Sequence, residues 1–153
     1  MRIAIGADHR GSDAVDRLVE RLSRDGHDVS RFGSSGGTSC DYPEAAFDVS
    51  TRVAGGDADR GILICGTGVG MGIAANKVAG VRAATVHDEL TAQLSRSHND
   101  ANVICLSADL LGDRLIDTIV DAFIGTEFEG GRHGRRVNKI AAIERGDEPA
   151  GVS

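Results

Sequence analysis

Aromatic side chains are scarce in this sequence: they make up 3% of the chain, and tryptophan is absent. Proteins that bind single-stranded nucleic acid commonly stack the bases on aromatic rings, so this shortage argues against that class. The formal net charge of −6 at pH 7 disfavours non-specific binding to nucleic acid or to anionic membranes. We therefore expect neither a nucleic-acid partner nor a membrane partner.

Long apolar runs and clustered cysteines are also missing. No uninterrupted apolar stretch approaches the roughly 18–20 residues that cross a bilayer, and the N-terminal segment lacks the pattern of a secretory signal peptide. Cys40, Cys65 and Cys105 are widely spaced and form neither a CxxC pair nor a Cys/His cluster typical of zinc sites. We expect no disulfide framework, no metal ion and a cytoplasmic location.

Short apolar segments alternate along the chain with longer segments whose apolar residues recur every three or four positions. The segment 61–65 is apolar throughout, which is typical of a strand covered on both faces of a sheet. The alternation predicts one α/β domain over residues 1–153, a doubly wound, Rossmann- or flavodoxin-like sheet of five parallel strands with helices on both faces. A C-terminal helical tail is predicted at about 132–145. Ligands of such folds bind beyond the carboxyl ends of the strands, where the strand order switches direction.

A glycine-rich turn follows the third predicted strand, with glycines at positions 66, 68, 70 and 72 directly after Cys65. Glycine lets the backbone approach a ligand closely and direct several N–H groups at an anion. Met71 stands where the dinucleotide-binding spacing requires a glycine, and no Gly-Lys-Ser/Thr follows, so no nucleotide cofactor is predicted. Cys65 is interpreted either as a reactive thiolate at a helix N-terminus or as a small residue that ends a buried strand. Cys105 is interpreted as core and Cys40 as an incidental loop thiol.

Two polar pairs fall in predicted loops. Asp8 and His9 follow the first strand, where a carboxylate and an imidazole can bind sugar hydroxyls or transfer protons. The alternative is that Asp8 caps the next helix and His9 is a solvated loop residue. His98 and Asn99 lie between the fourth helix and the fifth strand, at the opposite edge of the sheet. They either simply end a helix or serve the site of a neighbouring subunit.

Positive charge gathers near the C-terminus, where Arg132 and Arg136 lie four residues apart and share a face if the segment is helical. Two guanidinium groups on one face suit a phosphate or a carboxylate. The alternative is a solvated basic face whose arginines pair with Glu127, Glu129 or Glu144.

Together these residues resemble type B ribose-5-phosphate isomerase, of the sugar-phosphate isomerase family that also includes galactose-6-phosphate isomerase. The resemblance covers nearly the whole chain, and the combination of the cysteine–glycine turn with the later His-Asn pair is highly specific. The matching segments are residues 6–9, 41–43, 64–70, 74–77, 92–96, 98–99, 130–133 and Arg136.

The resemblance implies an aldose–ketose isomerase that interconverts ribose 5-phosphate and ribulose 5-phosphate, in the pentose phosphate pathway, by proton transfer through an enediolate and without a cofactor. Cys65 would move the proton between C1 and C2, His98 would assist opening of the furanose ring, and Thr67 would hydrogen-bond the reacting oxygens. The other implied contacts are the backbone N–H groups of Gly66, Thr67, Gly68, Val69 and Gly70 to the enediolate oxygen, Asp8, His9 and Asn99 to the sugar, and Arg132 and Arg136 to the phosphate.

The family forms homodimers or dimers of dimers with sites between subunits, so the tail helix is expected to dock on a partner subunit. Such an assembly would let His98 and the tail arginines reach Cys65 from the opposite edge. Two alternatives stay open. One is the same chemistry on another small sugar phosphate, such as a tetrulose 4-phosphate or a hexose 6-phosphate, and the other is a non-catalytic phosphosugar-binding module.

One position departs from the resemblance. Asp109 stands where the ribose-5-phosphate isomerases of the family usually carry an arginine that helps to bind the phosphate. A unit charge at contact distance is worth on the order of 4 kcal/mol at an effective dielectric constant near 20, so the exchange cannot be neutral. Three explanations are open: Asp109 points elsewhere, Arg10 or Arg114 substitutes for the missing cation, or the substrate differs.

Overall fold

The computed structural model of the protein describes residues 1–35 and 38–152, so Gly36, Gly37 and Ser153 lie outside the description. Strands and helices alternate, as the apolar periodicity predicts. The strands are β1 (Arg2–Ala7), β2 (Asp28–Gly33), β3 (Arg60–Cys65), β4 (Ala83–Thr85) and β5 (Val103–Ser107), and the helices are α1 (Ser12–Arg24), α2 (Tyr42–Ala54), α3 (Val69–Ala75), α4 (Glu89–Ser97), α5 (Asp113–Gly125) and α6 (Arg132–Glu144). A short 3₁₀ turn, Pro149–Gly151, follows α6.

All strand pairs in the five-stranded sheet are parallel, and the strands lie in the order β2-β1-β3-β5-β4. The prediction of a doubly wound parallel sheet is confirmed. From β1 the chain leads to β2 at one edge of the sheet, and from β3 it leads to β4 at the other. The crevice beyond the carboxyl ends of β1 and β3 is therefore the switch point at which such folds bind ligands.

Two apolar layers cover the sheet, one on each face. Alternate residues of β3 point to opposite faces: Ile62 and Ile64 join the layer formed with α1, α4 and α5, whereas Leu63 and Cys65 join the layer formed with α2 and α3. Both layers consist of buried, mainly aliphatic side chains, which explains why β3 is apolar from Gly61 to Cys65.

Helix α6 is covered by its own chain on one side only. Its buried residues are His133 and Ala142, and its apolar side chains Ile140 and Ile143 are exposed. Exposed aliphatic side chains also lie on α3, at Ile73. Contiguous exposed apolar surface typically marks a site of protein association. Among the described residues, no helix is both long and apolar enough to cross a membrane.

Candidate active site

Cys65 ends β3 and lies at the carboxyl edge of the sheet, beside the crevice between β1 and β3. Its side chain is 4% exposed and packs in the α2–α3 layer. The backbone N–H of Gly68 donates a hydrogen bond to its Sγ at 3.1 Å. Gly68 has φ of +77°, in the left-handed region that favours glycine, and this conformation folds the turn back over the sulfur.

The amides that follow Cys65 line the same turn. The N–H of Val69 donates to Oγ1 of Thr67 at 3.3 Å. The N–H groups of Thr67 and Gly70 donate no backbone hydrogen bond to any residue in 1–35 or 38–152. The ring of Tyr42 covers Gly70, because a methyl group on this glycine would lie 2.8 Å from the tyrosine Cζ. Because they have no backbone acceptor among the described residues, the amides of Thr67 and Gly70 are available to stabilise the negative oxygen that develops beside the sulfur.

The loop after β1 faces this turn across the crevice. The carboxylate Oδ1 of Asp8 accepts hydrogen bonds from the N–H groups of Arg10 and Gly11, at 2.9 and 3.2 Å, and thereby fixes the turn into α1. Asp8 is buried, while His9 beside it is exposed to solvent. The N-cap residue of α1 is Gly11, without a side-chain capping hydrogen bond, so Asp8 fixes the turn before the helix and does not cap it as the alternative predicts. This contact uses only one of its two carboxylate oxygens.

Asp109 lies directly above this turn and is paired with Arg10. Its Oδ1 accepts hydrogen bonds from Nε and Nη2 of Arg10 at 3.0 and 2.7 Å. The hydrogen bond and the charge of Asp109 raise the pKa of Arg10. Arg114, the other candidate substitute for a missing cation, is exposed on α5 beside Leu115. Of the two candidate cations, Arg10 is thus the one that lies next to Asp109 and the turn.

His98 lies at the other edge of the sheet, as the sequence predicts. It ends α4, which returns the chain to the start of β5. In register, Cys65 lies beside Ser107 and Gly61 beside Val103. With a rise of about 3.3 Å per residue, the two ends of β5 are separated by roughly 13 Å. One chain therefore does not bring Cys65 and His98 together.

The tail helix instead meets His98 through His133. The two imidazole rings are stacked, with centroids 4.1 Å apart and planes 6° apart. Arg132 Nε donates a hydrogen bond to Nε2 of His133 at 3.3 Å. Burial, followed by the charges of His98 and Arg132, lowers the pKa of His133. A neutral His133 thus links the candidate ring-opening residue to a candidate phosphate contact. No role was predicted for His133, and its position next to Arg132 was the only signal in the sequence.

Arg132 and Arg136 both lie on α6 and are exposed. Neither forms an ion pair with a carboxylate within the described part of the chain. The alternative in which they pair with Glu127, Glu129 or Glu144 is not observed there. Both guanidinium groups are therefore without a carboxylate partner in the described residues, and only Nε of Arg132 is engaged, by His133.

His98, Glu129 and His133 form the only cluster among the described residues whose ligand atoms could surround a metal ion, lying within 4.8 Å of one another. The stacked rings direct their nitrogen lone pairs along parallel planes, so they do not converge on one point. Nε2 of His133, moreover, already accepts the hydrogen bond from Arg132. This donor set does not suit the tetrahedral arrangement that Zn²⁺ requires.

A clamp of two arginines fixes the loop that carries His98 and Asn99. Asp100 has φ of +46°, in the left-handed region, although it is not glycine. Its Oδ2 pairs with Arg82 and its Oδ1 with Arg96, both at 2.8 Å. The side chain of Arg96 is 2% exposed and lies over the ring of Phe123. In this loop Asn99 is exposed and His98 is half-buried.

The other two cysteines occupy the environments that the sequence predicts. Cys105 is fully buried in the α2–α3 layer, where burial raises the pKa of its thiol. Cys40 lies in the loop before α2, half-buried, with its Sγ 3.6 Å from the carbonyl oxygen of Ala7. Partial burial also raises the pKa of Cys40.

Comparison with known proteins shows which family the chain resembles in sequence and in fold. A family model described as Ribose/Galactose Isomerase matches residues 3–140. The chain is similar to ribose-5-phosphate isomerase B of Escherichia coli, with 47% identity and coverage of 94% of this chain and 97% of the relative. It is also similar to the D-erythrulose-4-phosphate isomerase of Pectobacterium atrosepticum, with 40% identity over 94% of this chain and 95% of the relative.

A solved structure of a relative contains a sugar phosphate. The fold matches that of ribose-5-phosphate isomerase B from Mycoplasma genitalium with bound ribulose-5-phosphate at a TM-score of 0.90 and 45% identity, covering 94% of this chain and 96% of the relative.

Proposed function

The chain belongs to the Ribose/Galactose Isomerase family, and from this premise we propose that it interconverts ribose 5-phosphate and ribulose 5-phosphate with Cys65 as the base. The observation that carries the proposal is the hydrogen bond from the Gly68 N–H to the sulfur of Cys65, at the switch point of the sheet. Aldose–ketose exchange needs a base beside a carbonyl and donors for the oxyanion. Cys65 and the amides of Thr67 and Gly70 supply both.

The reaction moves one proton along the sugar. The thiolate of Cys65 takes the proton from the carbon next to the carbonyl, the C–H electron pair forms the enediolate double bond, and the carbonyl oxygen becomes negative. The N–H groups of Thr67 and Gly70 and the hydroxyl of Thr67 stabilise that oxygen. The protonated sulfur then gives the proton to the carbon that carried the carbonyl, while the hydroxyl proton of the other carbon moves to the negative oxygen and leaves a new carbonyl there. Atoms balance without any oxidant or metal, since the substrate is oxidised at one carbon and reduced at the next.

The active unit in this proposal is a homodimer or a dimer of dimers with each site shared between subunits. Cys65, Asp8 and His9 come from one subunit. The partner brings His98 to assist ring opening, Asn99 to hold the sugar, and Arg132 and Arg136 to bind the phosphate. Three observations support this division. The height of the sheet separates Cys65 from His98, Arg132 and Arg136 form no ion pair with a carboxylate of the described residues, and Ile140 and Ile143 are exposed on α6.

Replacing Cys65 tests the proposal directly. The Cys65→Ala variant should lose isomerase activity and hydrogen exchange at C2 by about 10²- to 10⁴-fold, the usual contribution of a positioned base. Cys40→Ala is the matched control and should retain activity, because it removes another thiol near the carboxyl edge, whose Sγ contacts the carbonyl oxygen of Ala7. Circular dichroism of both variants checks the fold. Full activity in a folded Cys65→Ala protein would contradict the proposal that Cys65 is the base.

A tetrulose 4-phosphate is the second candidate substrate. It is favoured by the similarity to a D-erythrulose-4-phosphate isomerase and by the carboxylate of Asp109 beside the turn. Comparing kcat/KM for ribose 5-phosphate and D-erythrulose 4-phosphate separates the two candidates, and neither would be turned over by a non-catalytic binding module. A cytoplasmic location completes the proposal, supported by the three unpaired cysteines Cys40, Cys65 and Cys105.

A further inference from the structure

The ion pair between Arg10 and Asp109 covers the first residue of the glycine-rich turn. A methyl group on Gly66 would lie 3.0 Å from Oδ2 of Asp109 and 3.8 Å from Nε of Arg10. The pair therefore stands beside the backbone that follows Cys65. It joins the loop after β1 to the loop after β5 across residues that are 99 positions apart in sequence.

Hydrogen bonds to residues of the site fix the backbone at both members of this ion pair. The N–H of Asp109 donates to the carbonyl of Gly66 at 3.1 Å, and the hydroxyl of Ser107 donates to the same carbonyl at 2.6 Å. On the other side, the N–H of Arg10 donates to Oδ1 of Asp8 at 2.9 Å. The backbone of Arg10 is thus fixed beside Asp8, and its guanidinium group is held by Asp109, whose own backbone is bonded to the residue that follows Cys65.

The contact uses only one edge of the guanidinium group. Nε and Nη2 of Arg10 both donate to Oδ1 of Asp109. Nη1 donates no hydrogen bond to a described residue, and the side chain is 54% exposed. The Nη1–Nη2 edge consequently faces solvent with its donors free. Two parallel N–H groups on such an edge match two oxygens of a phosphate.

We propose that Arg10, oriented by Asp109, binds the phosphoryl group of the sugar phosphate from the same subunit as Cys65. The inference rests on the proposed function and adds a phosphate contact to the partner's Arg132 and Arg136. Asp109 is the positioning residue. It binds the Nε–Nη2 edge of the guanidinium group and so turns the Nη1–Nη2 edge toward the crevice, and the pairing neutralises its own charge. An unpaired carboxylate at that point would repel the phosphate.

Binding of inorganic phosphate, measured by titration calorimetry on the full-length protein, tests this role independently of turnover. Arg10→Met should weaken phosphate binding by about tenfold or more, because it removes the cation and leaves Asp109 unneutralised. Arg10→Lys, which keeps the charge without the second edge, should give an intermediate affinity. In kinetics, Arg10→Met should raise KM for ribose 5-phosphate more than it lowers kcat.

Arg2 is the matched control for these variants. It forms an ion pair with Asp59 at 2.6 Å and is 51% exposed, but it lies at the amino edge of β1, away from the crevice. Arg2→Met should bind phosphate as tightly as the unmodified protein. A folded Arg10→Met protein that binds phosphate with unchanged affinity overturns the proposal, whereas the assignment of Cys65 stands or fails by proton exchange alone.

A double-mutant comparison tests the positioning role of Asp109. In the Arg10→Met background, Asp109→Asn should restore several-fold of the lost phosphate affinity, because the lone carboxylate is removed. In the presence of Arg10 the same change should raise affinity by less than about twofold, since the carboxylate is already neutralised and the guanidinium group loses its orientation. Equal gains in both backgrounds would mean that Asp109 acts independently of Arg10, and that part of the proposal would be lost.

Discussion

The imidazole rings of His98 and His133 lie parallel, 4.1 Å between centroids, at the junction of the α4–β5 loop with the tail helix. The stack ties a residue of the proposed ring-opening step to the arginine-bearing helix. It also buries one imidazole next to another imidazole and next to Arg132. Protonation of His133 is therefore costly, which is the reason its pKa is lowered.

The lowered pKa of His133 predicts a loss of stability in acid. In the unfolded chain a histidine titrates near pH 6.5. Because the folded pKa lies below that value, the contribution is fully present above about pH 6.5 and is lost as the pH falls toward the folded pKa. Relative to His133→Phe, which keeps a flat ring but cannot titrate, the native protein should lose melting temperature between pH 7.5 and 5.5. His87→Phe, at an exposed histidine, is the control. A pH-independent difference between His133→Phe and the native protein would contradict the prediction.

Asp100 should be more tolerant of glycine than of alanine. Both substitutions remove the carboxylate from Arg82 and from the buried Arg96. Alanine additionally keeps a Cβ in the left-handed region, which costs about 1–2 kcal/mol. In urea denaturation the free energy of unfolding should be highest for the native protein, lower for Asp100→Gly and lowest for Asp100→Ala. Equal stabilities of the two variants would show that the backbone at this position relaxes without strain.

Gly68→Ala should damage both stability and activity. A methyl group there would lie 3.1 Å from the carbonyl oxygens of Cys105 and Leu106, at a positive φ. Gly56 also has a positive φ, yet no atom lies within 4 Å of its added methyl group, so Gly56→Ala isolates the conformational cost. We expect Gly68→Ala to unfold more readily than Gly56→Ala and to lose about tenfold or more in kcat, since it displaces the donor on Cys65. Equal behaviour of the two variants in both assays would contradict this.

Shared sites predict complementation between two inactive variants. In the proposed dimer each site takes Cys65 from one subunit and His98 from the other. A mixed dimer of Cys65→Ala and His98→Asn subunits therefore holds one site with both changes and one intact site. Co-expression should restore about a quarter of native activity if the subunits pair at random. The separate variants mixed without subunit exchange provide the baseline. Co-expressed protein that forms mixed dimers but stays at that baseline would show that each site is built within one chain.

Local pattern was sufficient to predict much of this protein. The unbroken apolar run of β3 and the three- and four-residue spacing of the helices predict an α/β parallel sheet, because burial against one or two layers dictates those periods within a single element. The glycines after Cys65 likewise predict a backbone turn with free amides, since only glycine adopts the left-handed conformation of Gly68 without strain. The family resemblance rested on the same short segments.

Contacts between distant segments were decided only by the tertiary structure. No periodicity indicates that β5 lies between β3 and β4, that Asp109 neutralises Arg10 from 99 positions away, or that His133 stacks on His98. Such contacts depend on how whole elements pack, whereas sequence periodicity reports only which side of each element is buried. The sequence by itself therefore determined the elements and the chemistry of the turn, and the packing of the sheet decided which charges face that turn.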